Sequence, residues 1–178
     1  MKPVIRLFAL LAGVYVGFRF PDFDQRTDIL VHRSIVTHGL LVPLLLYIVL
    51  GSRRSPAPAR LFVTGAALAV AVHLSFDLFP RAWSGYALIH LPTYGWTPPL
   101  VSWAWIALSI VLCFFIAIRS SRGWVESILV FVVILALFSF SLPDEDALWR
   151  PLVATLGGIA IAMVLGVRGG PAEDRQRA

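Results

Sequence analysis

Cysteine is almost missing. Cys113 is the one thiol in 178 residues, and it lies inside an apolar run. That excludes a disulfide within the chain and argues against a thiolate metal site. Charge is scarce too: 14% of residues are charged, against roughly 25% in an ordinary soluble domain. No glycine-rich phosphate loop is present, since neither "GFRF" nor the terminal "RGG" has the required spacing. No serine or cysteine sits in a nucleophile setting. Ser75 lies between His73 and Asp77 but on another helical face, which excludes a serine triad there. The formal net charge of +5 would suit nucleic acid. The basic residues, however, are scattered at the ends of apolar runs and form no patch, so nucleic acid is not expected as a partner.

What the chain has in abundance is hydrocarbon. Hydrophobic residues make up 58% of it, and the mean hydropathy is +0.82. A bilayer-spanning helix needs about 20 mostly apolar residues. Six runs qualify as candidates: Val4–Phe18, Ile29–Leu50, Leu61–Phe79, Leu100–Ile118, Val125–Leu142 and Leu148–Val167. Breaker-rich segments such as "GSRRSPAPAR" and "SLPDED" separate them. The expectation is an all-α, polytopic membrane helical bundle. Residues 1–167 would form one transmembrane domain, and 168–178 a disordered cytoplasmic tail. The first run is short and is flanked by Arg6 and Arg19. No small-residue cleavage site follows it, so it reads as an uncleaved helix with snorkelling arginines. With the amino terminus inside, ten of the 15 Lys and Arg residues fall on the cytoplasmic side. The other side receives Arg19, Arg26, Arg33, Arg81 and Arg150. Both termini are therefore expected in the cytoplasm.

Acid and imidazole concentrate near the opposite face. "PDFDQRTDILVHRSIVTH" holds three aspartates and two of the four histidines. In the third run, His73 and Asp77 are four apart and share a helical face. His38 is 13 residues from Gly51, and His73 is 13 from Arg60. At 1.5 Å per residue both would stand about 20 Å above the cytoplasmic surface. Asp77 would lie a turn higher, with Asp22 and Asp24 arriving from the outer loop. Ionisable groups at such depth face a bundle interior or a wet cavity, and mark functional sites by default. Carboxylate with neutral imidazole suits zinc, manganese or iron. Bound there, a metal would lower the pKa of water.

Each residue also has a plainer reading. Asp22 and Asp24 could end a helix, and His38 and His73 could share a buried hydrogen bond. Asp77 could pair with Arg33. His32 is six positions from His38, so both reach one centre only if His32 precedes the regular helix. Arg33 could hold a phosphate or carboxylate, or only neutralise the aspartates. His90 could act as acid or base, or be an ordinary loop histidine. Trp83, Tyr86, Tyr94, Trp96, Trp103 and Trp105 suit an interfacial aromatic belt or a groove for lipid. Glu126 reads as an ordinary helix partner of Arg122.

Three elements resemble the YdjM-type family of bacterial inner-membrane metal-dependent hydrolases. They are Pro21-Asp22-Phe23-Asp24, then His32-Arg33-Ser34-Ile35-Val36-Thr37-His38, then His73-Leu74-Ser75-Phe76-Asp77. They occur in order over about a third of the chain. Gly39 stands where members of that family often have serine. The resemblance implies a bacterial inner-membrane protein, and the Lys and Arg distribution then puts the site on the periplasmic side. The resemblance also implies a divalent metal, Zn2+ first and Mn2+ or Fe2+ next, on Asp22, Asp24, His32, His38, His73 and Asp77. From the residues themselves, Asp24 or His90 could serve as general base and Arg33 could hold a phosphate in catalysis. A membrane lipid or lipid-linked phosphoester is the expected substrate. A metal-ion or proton transporter, and a scaffold with a structural metal, use the same ligands and stay open.

Overall fold

The computed structural model describes residues 3–26, 30–52, 54–78, 88–141 and 149–168. Six α-helices are formed among them: α1 (Pro3–Arg19), α2 (Leu41–Leu50), α3 (Ala57–Asp77), α4 (Pro99–Ser120), α5 (Gly123–Ser141) and α6 (Trp149–Arg168). A 3-10 helix at Pro21–Arg26 follows α1, and a minimal hairpin of β1 (His90–Leu91) and β2 (Gly95–Trp96) precedes α4. The chain is thus an all-α bundle. Trp83, Tyr86, Arg81 and the acidic residues Asp144, Glu145 and Asp146 lie outside the described residues, as does the tail beyond Arg168.

α3 is the central post. From Arg60 to Ser75 almost every residue is buried, as expected of a helix apolar all round. Its small residues, Gly65, Ala66, Ala67, Ala69 and Ala71, let neighbours approach closely, which is how helices associate where lipid removes the hydrophobic drive. α1 exploits this with Gly13 and Gly17, spaced Gly-x-x-x-Gly. A Cβ on Gly13 would strike the Phe62 carbonyl oxygen, and one on Gly17 would lie 2.8 Å from the Ala66 Cα. α1 therefore rides directly on the α3 backbone. That contact delivers the Pro21–Arg26 helix to the far end of α3.

α4 packs along another side of α3, and α6 covers α4. Pro56 and Pro98, both extended, open α3 and α4, using the position where a missing N–H is harmless. At the start of α3, buried Arg60 donates from Nη1 to the Ser120 carbonyl at 2.6 Å and lies 3.7 Å from Glu126. Glu126 also accepts from the Arg122 backbone N–H. It therefore serves a buried cation on α3 as well as its own helix. Outward, large apolar side chains such as Phe8, Ile48, Leu100, Phe131 and Val153 are exposed, a surface suited to lipid.

Three of these helices, α3, α4 and Trp149–Gly166 of α6, are long and apolar enough to cross a membrane. The expected span Ile29–Leu50 is corrected. Helix exists only over Leu41–Leu50, while the described residues before it, from Leu30 to Leu40, form turns. Arg33 adopts a left-handed φ of 62°, which an α-helix cannot contain. Ile35 N–H donates to the His90 carbonyl and His90 N–H to the Arg33 carbonyl. The turn segment is thus paired with β1 in place of an α-helical ladder.

Candidate metal centre

Asp24 is 2% exposed and sits at the root of the site. Its Oδ2 accepts the Thr37 hydroxyl at 2.6 Å and the Ser34 backbone N–H at 3.1 Å. His32 Nδ1 lies 3.2 Å from Oδ1, and His38 Nδ1 lies 3.2 Å from Oδ2. Burial pushes the Asp24 carboxyl upward. Thr37, His32, the His38 charge and the Ser34 amide outweigh it and hold the pKa below its ordinary value.

These bonds fix the His38 tautomer by elimination. Thr37 has one hydroxyl proton, and at 2.6 Å it goes to Asp24. His38 Nδ1, 3.2 Å from both Thr37 Oγ1 and Asp24 Oδ2, must then be a donor. In a neutral imidazole that leaves Nε2 with a bare lone pair. His38 Nε2 is buried and makes no hydrogen bond among the described residues, and the same holds for Asp77 Oδ2. The two atoms face each other at 3.6 Å. A proton between them could not make a proper hydrogen bond at that distance. His73 Nε2 joins them, 3.2 Å from Asp77 Oδ2 and 3.9 Å from Asp22 Oδ1. His73 thus pairs closely with Asp77, while the His38 Nε2 lone pair faces the same carboxylate without a hydrogen bond of its own.

Asp22, His38 and His73 each offer a ligand atom within 4.8 Å of the others, and so do Asp24, His32 and His38. The buried His and Asp groups could therefore hold a metal ion. The two triads share His38, whose ring edges face different ways. Nδ1 faces Asp24, and Nε2 faces Asp77. Exposure rises across the cluster. The Asp24 and His38 side chains are closed off, His73 and Asp77 are partly open, and Asp22 is 42% exposed. One side of the cluster is open.

The structure places Asp22, His38 and His73 in one triad and Asp24, His32 and His38 in another, with Asp77 beside His38 and His73; His32 reaches its triad because it and His38 both precede the regular helix. The expected helical rise from Gly51 does not place His38, since the backbone before Leu41 is not helical. Its neighbourhood with His73 comes from the turn segment instead. Arg33 lies near enough to act electrostatically on His73 and Asp77. His90 is joined to the site segment through its backbone, while its ring packs edge-on against Trp96 at 5.1 Å.

Sequence reasoning missed what holds His38 from behind. Trp105 Nε1 donates to the His38 carbonyl at 3.0 Å, and Ser109 Oγ accepts the Leu40 N–H at 3.2 Å. They are one turn apart on α4. Gly39 makes the approach possible, because a Cβ there would lie 2.5 Å from Trp105 Nε1. The spacing of Trp105 and Ser109 four residues apart was visible, but not its partner, some 67 residues away.

No protein-family model, curated protein or solved structure matches this chain. Fold and site together define a helical protein with the build of a membrane protein and a His/Asp cluster able to hold a metal ion.

Proposed function

We propose that the chain is a metal-dependent hydrolase of the YdjM type, embedded in the bacterial inner membrane with its site facing the periplasm, and that its substrate is a lipid-linked phosphoester. The carrying observation is the convergence of the unbonded His38 Nε2 lone pair, the Asp77 carboxylate 3.6 Å from it, and His73 and Asp22 beside them at the open side of the cluster. A metal ion among these donors would satisfy the His38 lone pair and the carboxylates together. Asp22, His38, His73 and Asp77 would hold zinc, with manganese or iron as the next choices by donor type. A bound zinc would supply Lewis-acid polarisation and acidify water near neutral pH.

The chain's own residues have distinct work. Asp24 orients His38 through Nδ1 and raises its basicity, the usual duty of a carboxylate behind a ligating histidine. His32 shares that carboxylate and, at 44% side-chain exposure, stands at the open side. The Arg33 guanidinium supplies positive charge for a phosphate group. Asp22, the most open ligand, leaves room for substrate, whereas a structural site is closed on all sides. Transport is less favoured. From Gly65 to Val72, α3 buries only apolar side chains and glycine, so no polar path runs along it towards Arg60.

The test uses protein reconstituted in lipid nanodiscs, loaded with zinc or stripped by chelator, and offered phosphatidic acid and an isoprenyl monophosphate. Zinc-dependent phosphate release that His73→Ala abolishes is expected. If zinc binds at one equivalent, chelation unfolds the protein and neither ester is cleaved, the centre is structural and the hydrolase reading fails.

A further inference from the structure

At the other end of α3 a second feature has no part in the chemistry above. α1 and α5 both pack on α3 but hardly touch each other. The cleft between them has a volume of about 510 Å³, within the usual range of roughly 300–1,000 Å³ for ligand pockets. Its walls are Val4, Leu7 and Leu10 from α1, Leu61 from α3, and Val125 and Leu129 from α5. Val4, Leu7 and Val125 are also exposed at the outer surface of the bundle, so the cleft opens sideways to where lipid would lie.

Its polar end is cationic. Arg6, Arg122 and Glu126 line it, and Arg60 lies beneath, close enough to feel Arg6, Arg122 and Glu126 electrostatically. Arg6, Arg60, Arg122 and Glu126 thus gather at this end of the cleft. Arg60 is 5% exposed. It is satisfied at Nη1 by Ser120, yet its Nε is buried with no hydrogen-bond partner. Arg6 and Arg122 are exposed at the mouth of the cleft, where a phosphate could reach both guanidiniums. A basic pocket between helices next to an apolar wall fits a phospholipid head group.

We propose that this cleft binds an anionic phospholipid, its phosphate against Arg6 and Arg122 above Arg60, and one acyl chain between α1 and α5. A free anion would meet the charge but leave the apolar cleft empty. A zwitterionic lipid would fill the cleft but add its own cation to an already positive mouth. The site is separate from the His/Asp cluster: Arg60 and His73 are 13 residues apart on one helix, about 20 Å.

The experiment is native mass spectrometry of detergent-purified, delipidated protein titrated with phosphatidylglycerol, phosphatidylcholine or inorganic phosphate. Wild type is expected to retain one phosphatidylglycerol with a preference of roughly tenfold or more over phosphatidylcholine. Arg6→Gln combined with Arg122→Gln should erase that preference. Leu7→Trp, which fills the cleft and keeps every charge, should weaken phosphatidylglycerol binding, while His73→Ala should leave it unchanged. Equal retention of the two lipids by wild type overturns the proposal. So does full displacement of phosphatidylglycerol by inorganic phosphate, which would mark a plain anion site, or unaltered binding by Leu7→Trp.

Discussion

Replacing Gly17 with alanine adds a single methyl group more than one turn before Asp22, yet it should disable the proposed metal centre. That Cβ would collide with the Ala66 carbonyl oxygen and lie 2.8 Å from the Ala66 Cα and 2.9 Å from its carbonyl carbon. All three are backbone atoms of α3, so no rotamer change can relieve the clash. Clearing the Ala66 Cα alone to an ordinary contact of 3.4 Å requires α1 to retreat by roughly 0.6 Å, and clearing the carbonyl oxygen requires more, when metal sites tolerate ligand displacements of only about 0.2 Å. Overpacking of this kind costs about 1–3 kcal/mol, which the bundle can absorb without unfolding. Asp22 and Asp24 follow α1 directly and move with it, whereas His73 and Asp77 stay on α3. Zinc affinity, read by calorimetry on detergent-purified protein, should fall about 10–100-fold, as when an orienting partner is lost. Helical content by circular dichroism should hold. Gly157→Ala is the control, since a Cβ there meets nothing within 4 Å. If Gly17→Ala binds zinc as tightly as wild type, the docking of α1 on α3 does not set the position of the aspartates.

Other perturbations probe the site from different sides. Zinc at 100 times its Kd should stabilise wild type by about 2.7 kcal/mol and His73→Ala not at all, read as denaturation midpoints with and without metal. Trp105→Phe should cost about 1 kcal/mol by orphaning the His38 carbonyl, and Gly39→Ala should cost at least as much by expelling the indole; intact stability in both would remove α4 from the support of His38. The depressed pKa of Asp24 has a definite sign. Its stabilisation is fully present above the ordinary carboxylate value of 3.8 and is lost as pH falls through the lower folded value. Metal-free wild type should therefore lose stability on acidification below about pH 4, while Asp24→Asn should start about 2 kcal/mol lower and lose less; parallel pH curves would refute the assignment.

Five of the helices could be read from apolar runs to within a few residues at each end. Length and hydropathy report burial in lipid or protein, and for α1, α3, α4, α5 and α6 burial and helix coincide. They part company at "HRSIVTHG". Ser34, Thr37 and His38 are buried, so the segment looks like a span, but its backbone bonds go to β1 and Asp24. Nothing in hydropathy distinguishes a buried turn from a buried helix. His73 and Asp77 were legible because four residues of helix is a fixed geometry. His38 was paired with His73 through a helical rise that the backbone does not have. The sequence offers Trp105 a place in an aromatic belt or a lipid groove, whereas its contact with the His38 carbonyl depends on Gly39 in a distant segment.

The shortness of α2 bears on how the protein is made. Ten residues of helix measure about 15 Å, half of a hydrocarbon core of about 30 Å. Threaded into a bilayer alone, the stretch from Leu30 to Leu50 would carry two histidines and an arginine into lipid with unpaired turns, and each arginine at mid-membrane costs about 2.5–3.5 kcal/mol. Non-helical backbone is tolerated at that depth only when protein or a water-filled cavity surrounds it. The segment must therefore wait for α3 and α4 to be in place, and for β1 to offer its backbone, before it can settle. The cluster of histidines and aspartates would then be the last part of the molecule to assemble, and a metal held there would be captured only after the bundle had closed around it.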